Sequence, residues 1–376
     1  MEATVTPADV GERRSPDNAT MSVDQVEREL ARLRMNEDGT VGVRSSVLNL
    51  IVVTSEEDAP EITHAISELA DRYPSRAIVL ISDPEGEKNL DVQLAAFCSL
   101  RPGANQHICS EQITVHAEGS PARHLDSIAG PLLMPDLPTF LFYPGEFSAE
   151  SPEFSRIAAL SEHIIVDSNS SDDFEETFRE VAKLTGDAGC PPVGDLQWTT
   201  LAPWRSLAGD LFGSPERFAD LDEIHSVEIS HAPDGASRAM LFAGWTSYVF
   251  GWKPVSSKKS GPGRRFVFEK PDGREVEFKV SPLKSGGPED GSSDSPGSPL
   301  SRITLESKDS SFEISRPQGR EEVCVKIIRD GEVVGESTAR LGSFDTSAML
   351  GQELKSRGRD RTYENSLKRA VEVLDL

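Results

Sequence analysis

The residue cluster most suggestive of ligand chemistry is a group of four cations around two glycines in the second half of the chain. Lys258, Lys259, Arg264 and Arg265 surround Gly261 and Gly263. Backbone N–H groups of a turn, together with Lys and Arg, can bind an anion such as a sugar phosphate. The third glycine of a GxGxxG fingerprint is absent, so dinucleotide binding by that route is not expected. The cluster is therefore either an anion-binding loop or an exposed basic turn before a strand.

The remaining His, Cys and Ser residues do not occur at the spacings of known catalytic or metal-binding motifs. The sequence has no HExxH, no CxxC and no GxSxG. Cys98 and Cys109 are the two cysteines closest in sequence, and with His107 they could form a ligand set, although their alternation on a strand favours ordinary packing. We therefore expect no catalytic residue, no metal and no cofactor, and thus no enzyme. The scattered cysteines favour a reduced, cytoplasmic setting.

The charge balance restricts the partners. The 376 residues include 39 Lys or Arg and 63 Asp or Glu, a net charge of −24. Such a chain repels nucleic acid and anionic membranes, so neither is expected as a partner. Residues 1–190 hold 14 basic and 34 acidic side chains, a net charge of −20, which leaves −4 for the remainder. This acidic first half is suited either to solubility alone or to steering a basic partner surface.

Two aromatic segments are candidate contacts for a partner protein. In the first, Pro131, Pro135 and Pro138 fix a rigid turn into an apolar strand. Its candidate contact residues are Pro135, Asp136, Pro138, Phe142 and Tyr143. The second segment, residues 195–205, and the later tryptophans supply Trp198, Trp204, Arg205, Trp245 and Trp252. Tryptophan and arginine can anchor interfaces, but core packing of each tryptophan is the other interpretation.

The first half of the chain alternates apolar runs with helical patterns. Residues 47–54, apart from Asn49, and residues 77–81 predict buried strands, whereas residues 62–69 repeat apolar side chains at helical spacing. The alternation continues to a helix at residues 172–184. It predicts an α/β N-terminal domain with a mixed or largely parallel sheet at residues 21–190.

The second half has a different pattern. Residues 239–250 predict a buried helix, residues 266–280 a hairpin, and residues 344–374 two closing helices. We therefore expect an α+β C-terminal domain with antiparallel hairpins and closing helices at residues 193–376. Residues 1–20 predict a disordered leader, and residues 284–299, rich in Gly, Ser and Pro, predict a disordered loop.

Together these segments resemble the OpcA family of glucose-6-phosphate dehydrogenase assembly proteins. The likeness lies in residues 76–81, 129–145, 195–212, 243–252 and 359–364. Residues 201–205, with Trp198 shortly before them, are the most specific, since Trp, Pro and a second Trp followed by Arg rarely coincide at this spacing. The chain departs from the family at residues 246–248 and in the insertion at residues 284–299.

The resemblance implies a non-catalytic partner that binds the dehydrogenase, promotes its active oligomer and raises flux into the oxidative pentose phosphate pathway. In photosynthetic members such proteins also look linked to thioredoxin, which makes Cys98 and Cys109 redox candidates. Burial of both as plain hydrophobic side chains is the other interpretation. From the residues alone, a sugar-phosphate-binding sensor or enzyme that uses residues 258–265 is the alternative function, and a purely structural scaffold is a third.

Overall fold

The computed structural model divides the chain into two compact units. It describes residues 11–14, 21–35, 43–100, 107–170, 173–186, 189–212, 220–283, 300–316, 322–356 and 358–376. The first unit comprises the described residues within Met1–Asp167, Asp187–Gly194 and Leu350–Arg359. The second comprises those within Ser168–Gly186, Asp195–Met349 and Asp360–Leu376. The predicted loop at residues 284–299 lies outside the described residues.

The first unit is built on a sheet that has nine strands in the described residues. The strands are β1 (Gly11–Arg14), β2 (Val43–Arg44), β3 (Leu48–Thr54), β4 (Ser75–Asp83), β5 (Asn89–Leu100), β6 (His107–Glu118), β7 (Thr139–Tyr143), β8 (His163–Val166) and β9 (Val193–Asp195). The helices are α1 (Val23–Leu33), α2 (Ala59–Leu69), α3 (Leu125–Ala129) and α4 (Pro152–Ala158), with 3₁₀ turns at Pro121–His124 and Gly130–Leu132.

The strand order across this sheet is β1-β5-β6-β4-β3-β7-β8-β9, and β2 pairs with β6. Strands β6, β4, β3, β7 and β8 run parallel to one another, whereas β5 is antiparallel to both β6 and β1. The predicted mixed, largely parallel sheet is therefore confirmed. All seven residues of β3 are buried, as expected for a central strand of a parallel sheet covered on both faces.

Part of the predicted disordered leader is ordered. Residues 11–14 form β1, which pairs with β5 from Gly11 opposite Cys98 to Arg14 opposite Ala95. Without β1, β5 would be the edge strand, with backbone N–H and C=O groups free on one side. A strand can pair with such an edge through its backbone alone, so it needs no apolar side chains. The side-chain pattern of residues 11–14 therefore did not predict a strand. The rest of residues 1–20 lies outside the described residues.

The second unit combines a large sheet with helices. Its strands are β10 (Ser226–His231), β11 (Lys253–Ser260), β12 (Gly263–Glu269), β13 (Glu275–Pro282), β14 (Leu300–Glu306), β15 (Ser310–Ser315), β16 (Glu322–Arg329) and β17 (Glu332–Arg340). Its helices are α5 (Phe174–Gly186), α6 (Leu196–Thr200), α7 (Ala202–Leu211), α8 (Ala236–Phe250) and α10 (Arg361–Leu374). Helix α9 (Thr346–Glu353) is divided between the units: its residues up to Met349 belong to the second unit, and those from Leu350 belong to the first.

The strand order of this sheet is β11-β12-β13-β10-β14-β15-β16-β17. All neighbouring pairs are antiparallel except β10 and β13, which are parallel. The predicted α+β class and the β12–β13 hairpin are confirmed. Helix α5, which sequence analysis assigned to the N-terminal domain, belongs to the second unit, where it packs against α10.

Candidate functional site

The carboxyl ends of three neighbouring parallel strands meet at one edge of the first unit's sheet. Strand β3 lies between β4 and β7, and these three strands end at Thr54, Asp83 and Tyr143. In open α/β sheets, ligands bind in the crevice outside the carboxyl ends, at the point where the strand order reverses. In this sheet the reversal lies between β3 and β7, so this edge is where the fold would hold a ligand.

The loop that leaves β3 is acidic where a dinucleotide-binding loop carries glycines. Between β3 and α2 the residues are Ser55, Glu56, Glu57 and Asp58. The Ser55 hydroxyl donates to the Asp58 carboxylate at 2.7 Å, and a Glu56 carboxylate oxygen lies 3.1 Å from Nδ1 of His116. A pyrophosphate binds at this position through close backbone approach and the positive end of the helix. The three carboxylates of this loop repel a pyrophosphate, and the absence of glycine prevents close approach of the backbone to one.

A cavity of about 320 Å³ lies at the same edge, beside the ends of β4 and β7. Three aromatic rings line it and contact one another. Phe147 stacks on Phe154 with ring centroids 4.7 Å apart, and Tyr143 lies 5.6 Å from Phe147. Burial raises the pKa of the Tyr143 hydroxyl. Arg123 and Glu146 contribute charged groups to the lining.

The proline-rich segment before β7 is a surface loop. Pro135 and Asp136 are exposed, whereas Pro138 is half-buried. Asp136 adopts a left-handed conformation with φ of 65°, which Asp tolerates better than most residues. Buried Asn49 in β3 holds this loop from beneath through hydrogen bonds to its backbone. Pro135 and Asp136 are thus the candidates of this segment most accessible to a partner.

Sequence reasoning missed a buried ion cluster that holds α1 against the sheet. The Arg76 side chain is 2% exposed and that of Glu111 is fully buried, with Nη2 and Oε2 only 2.6 Å apart. Arg34 Nε lies 3.1 Å from Glu111, and Arg76 also binds Glu27 of α1 and donates to the Leu132 carbonyl oxygen at 3.2 Å. The hydrogen bond from Arg76 lowers the pKa of Glu27. The sequence does contain one signal for this cluster, because Arg76, a charged residue, directly precedes the apolar run of β4.

The aromatic contact candidates lie mostly in the cores of their units. Phe142, Trp198, Trp204, Trp245 and Trp252 are all buried. This is the core interpretation that the sequence left open for the tryptophans. Direct contact of these rings with a partner would require the core to open, so among the aromatic candidates only half-buried Tyr143 remains accessible.

The most specific sequence segment is part of a network within the second unit. The guanidinium of Arg205 lies 3.5 Å from the ring centroid of Trp198. The indole Nε1 of Trp198 donates to Asp360 at 2.8 Å, and the Tyr363 hydroxyl donates to Asp195 at 3.1 Å. Residues 195–205 and 359–364, which sequence analysis noted separately, therefore hold one another in place.

The four basic candidates do not form one loop. Lys258 pairs with Arg265 and Lys259 with Arg264 on adjacent strands β11 and β12, so the two pairs point to opposite faces of the sheet. Arg264 lies 2.6 Å and Lys259 3.8 Å from the carboxylate of Glu175. The geometry thus divides the cations and neutralises part of their charge.

Cys98 and Cys109 form a disulfide. The interpretation of both as separately packed hydrophobic side chains is therefore wrong. They lie directly opposite each other on antiparallel strands β5 and β6, with Cα atoms 4.1 Å apart. Cys109 is buried and Cys98 half-buried. Sequence analysis did not identify β5, so it had no means to place the two sulfurs side by side.

In the described part of the chain, no helix combines the length and apolar character that crossing a bilayer requires. Within the same residues, His, Cys, Asp and Glu do not come together in groups of three that could hold a metal ion.

A known structure of low sequence identity shares this fold. An NAD binding oxidoreductase from Klebsiella pneumoniae aligns with a TM-score of 0.50 over 87% of this chain and 94% of its own, at 10% sequence identity. At such identity the likeness concerns the fold alone. The acidic loop after β3 is a local feature of this chain that the shared fold does not dictate.

Relatives of higher identity come from cyanobacteria. A protein of Synechocystis sp. (strain ATCC 27184 / PCC 6803 / Kazusa) that bears the name OpcA, in reference to the OxPP cycle, is 25% identical over 316 residues, which cover 82% of this chain. A protein of the same name from Nostoc punctiforme is 27% identical over 317 residues, again 82% of this chain. The chain spans 65% of the length of the first relative and 67% of the second.

Two family models match consecutive parts of the chain. Residues 66–183 match the model described as the glucose-6-phosphate dehydrogenase subunit N-terminal domain. Residues 191–367 match the model described as the corresponding C-terminal domain. Both models carry the OpcA name, and together they cover most of the chain. The chain therefore belongs to the OpcA family.

Proposed function

We propose that this protein is a non-catalytic assembly factor and allosteric activator of glucose-6-phosphate dehydrogenase, acting in the cytoplasm at the entry to the oxidative pentose phosphate pathway. The observation that carries the proposal is the match of both domain models to domains described as parts of a glucose-6-phosphate dehydrogenase subunit. The names of the cyanobacterial relatives refer to the same pathway.

A non-catalytic role is supported by the loop after β3. An NAD-dependent or NADP-dependent enzyme of this fold needs its pyrophosphate at the start of the helix that follows this strand. Here Glu56, Glu57 and Asp58 occupy that position. We therefore expect no saturable binding of NADPH, measured by the fluorescence of the cofactor upon titration with the protein. Micromolar binding of NADPH would contradict the non-catalytic proposal.

Activation requires only that the protein prefer one state of its partner. A ligand that binds the active oligomer more tightly than the inactive form shifts the population by at most its differential affinity. A hundredfold preference corresponds to about 2.7 kcal/mol. No chemical group of the activator needs to reach the substrate, which agrees with the absence of catalytic spacing in the sequence.

The test is the activity of the dehydrogenase from the same organism with and without this protein, over a range of glucose 6-phosphate concentrations. Size-exclusion chromatography with light scattering follows the oligomer in parallel. We expect a higher rate together with a complex of larger mass. Binding without a change in rate would favour a structural scaffold, and neither binding nor a rate change would contradict the proposal.

The uneven distribution of charge along the chain supports an interaction with a basic surface. Residues 1–190 carry a net charge of −20, whereas the rest of the chain carries −4. Long-range attraction of this kind raises association rates and weakens as ionic strength rises. The association rate should therefore fall steeply between about 0.05 and 0.5 M salt. A salt-independent association rate would place the contact away from the acidic half.

We further propose that thioredoxin controls the state of the Cys98–Cys109 disulfide. In this exchange the thioredoxin dithiol is oxidised to a disulfide while the S–S bond between the two cysteines breaks to give two thiols. The pairing across β5 and β6 and the half-buried position of Cys98 support the proposal. Thiol labelling and mass spectrometry before and after reduced thioredoxin test it. Retention of the disulfide under those conditions would contradict it.

A further inference from the structure

We propose that the cavity at the carboxyl edge of the first unit binds a basic side chain, arginine or lysine, presented by a partner protein. The identity of that partner as the dehydrogenase rests on the proposed function. The preference of the cavity for a cation rests only on its own lining. The cavity lies at the edge of the sheet where α/β folds hold ligands, and the acidic loop that is unsuited to phosphates leaves β3 at the same edge.

The aromatic side of the cavity suits a flat or elongated cation. Phe147 and Phe154 are stacked with an interplanar angle of 15°, and Tyr143 contacts Phe154 at a centroid distance of 5.7 Å. Aromatic faces attract guanidinium and ammonium groups through the ring quadrupole, and more strongly when water is excluded. The aliphatic stem of arginine or lysine can pack on the same rings.

The charged groups of the lining leave a negative excess. The guanidinium of Arg123 lies 3.3 Å from Glu85, and Glu153 lies 3.7 Å from Arg156, so both lining residues have oppositely charged neighbours. Glu146 also lines the cavity and is exposed, and among the described residues it has no ion-pair partner. A cation that enters would find one uncompensated carboxylate.

The size of the cavity favours a single side chain. Pockets for small molecules span about 300–1,000 Å³, and a volume of about 320 Å³ lies at the lower end of that range. The wall is held in place because the Ser151 hydroxyl accepts the backbone N–H of Phe154 at 3.1 Å and so caps α4. A preformed pocket that encloses one arginine is typical of an interface anchor.

The first test uses the isolated full-length protein and a pair of small probes. Nα-acetyl-L-arginine amide carries the cation, and Nα-acetyl-L-citrulline amide has nearly the same shape without the charge. In a ligand-observed NMR titration we expect a Kd on the order of 1 mM for the arginine probe. Binding of the citrulline probe should be about tenfold weaker.

Matched variants locate the binding. Glu146→Gln should weaken the arginine probe about tenfold, because it removes the uncompensated charge but keeps the size. The control Glu162→Gln changes an exposed carboxylate immediately before β8, outside the cavity lining, and should leave the affinity unchanged. Equal affinity for both probes, absence of binding, or an unchanged affinity in Glu146→Gln would overturn the proposal. Inorganic phosphate that bound more tightly to Glu146→Gln than to the wild type would instead indicate an anion site and would also overturn it.

The second test uses the complex with the dehydrogenase. Glu146→Gln should raise the Kd of the complex about tenfold, whereas Glu162→Gln should not. If the wild-type protein binds the dehydrogenase and Glu146→Gln binds equally well, the cavity proposal fails and the proposed function stands. If the wild type does not bind the dehydrogenase at all, the proposed function fails, and the probe titration still decides the chemistry of the cavity.

Discussion

The side chain of Asn49 replaces a missing backbone partner for Met134. Its Nδ2 donates to the Met134 carbonyl oxygen at 3.0 Å, and its Oδ1 accepts the Met134 N–H at 3.0 Å. The same amide also reaches the Leu137 carbonyl oxygen and the Thr139 hydroxyl. One fully buried polar residue near the start of a largely apolar strand thus fixes the conformation of the loop that presents Pro135 and Asp136.

Replacement of this amide should destabilise the protein. In Asn49→Ala, the Met134 N–H and the carbonyl oxygens it faced lose their partner, so we expect the free energy of unfolding to fall by about 1–3 kcal/mol. Asn89→Ala is the control, since Asn89 is exposed on β5 of the same sheet and should change stability by less than about 0.5 kcal/mol. Urea unfolding followed by circular dichroism measures both. Equal stabilities of the two variants would show that the amide does not hold the loop.

The burial of Trp204 leads to a second stability prediction. Its side chain is in the core of the second unit with 1% exposure, so Trp204→Ala should lower the free energy of unfolding by about 3–5 kcal/mol. Tyr248→Ala, which truncates a ring that is 38% exposed on α8, should cost much less. Thermal unfolding monitored by circular dichroism compares them. A folded, equally stable Trp204→Ala that fails to activate the dehydrogenase would instead identify this ring as a contact.

Elements with a continuous or periodic apolar pattern could be predicted from the sequence. The run at residues 47–54 became β3, which is buried throughout, and residues 239–250 became most of α8, which is buried up to Ser247. Such burial leaves few polar positions, so both elements show long apolar runs in the sequence. The turn at residues 271–273 placed the β12–β13 hairpin for the same kind of local reason. Local patterns therefore predicted the class of each half.

Features that depend on distant parts of the chain could not be predicted. Which unit a helix such as α5 belongs to depends on the surface against which it packs. The pairing of Cys98 with Cys109 depends on the register of β5 and β6. The cavity unites side chains from the ends of two strands, a 3₁₀ turn, α3, α4 and the loop between β7 and α4. Tyr143 was recognisable in the sequence as a candidate contact residue, but a one-dimensional pattern does not reveal the space beside its ring.

Stability should depend on pH through His163. This side chain is 3% exposed, neither ring nitrogen has a hydrogen-bond partner among the described residues, and burial lowers its pKa to about 4. The native state therefore disfavours the protonated form, whereas the unfolded chain takes up the proton near pH 6.5. The contribution of this residue is fully present above about pH 6.5, is lost progressively as the pH falls toward 4, and amounts to at most about 3 kcal/mol.

Matched variants isolate that contribution. Between pH 7.5 and 5.5, the free energy of unfolding of His163→Asn should fall less steeply than that of the wild type. His64→Asn alters an exposed histidine on α2 and should retain the wild-type slope. The Glu353 carboxylate, with Oε2 4.0 Å from Nε2 of His163, opposes the effect by favouring the charged ring. Parallel pH profiles for His163→Asn and the wild type would mean that this attraction cancels the cost of burial.

Two glycines in helices of the second unit should respond to the same substitution with opposite sign. A Cβ atom at Gly244 of α8 would overlap the carbonyl oxygen of Ser366 and lie 3.0 Å from the backbone nitrogen of Ala370, both in α10. Backbone cannot move aside as a flexible side chain can, so Gly244→Ala should destabilise the second unit by about 1–3 kcal/mol. At Gly209 of α7 an added Cβ meets nothing within 4 Å among the described residues. Gly209→Ala should therefore stabilise by about 0.5–1 kcal/mol, because alanine loses less backbone entropy on folding. Urea midpoints that shift in the same direction for both variants would contradict the close approach of α8 to α10.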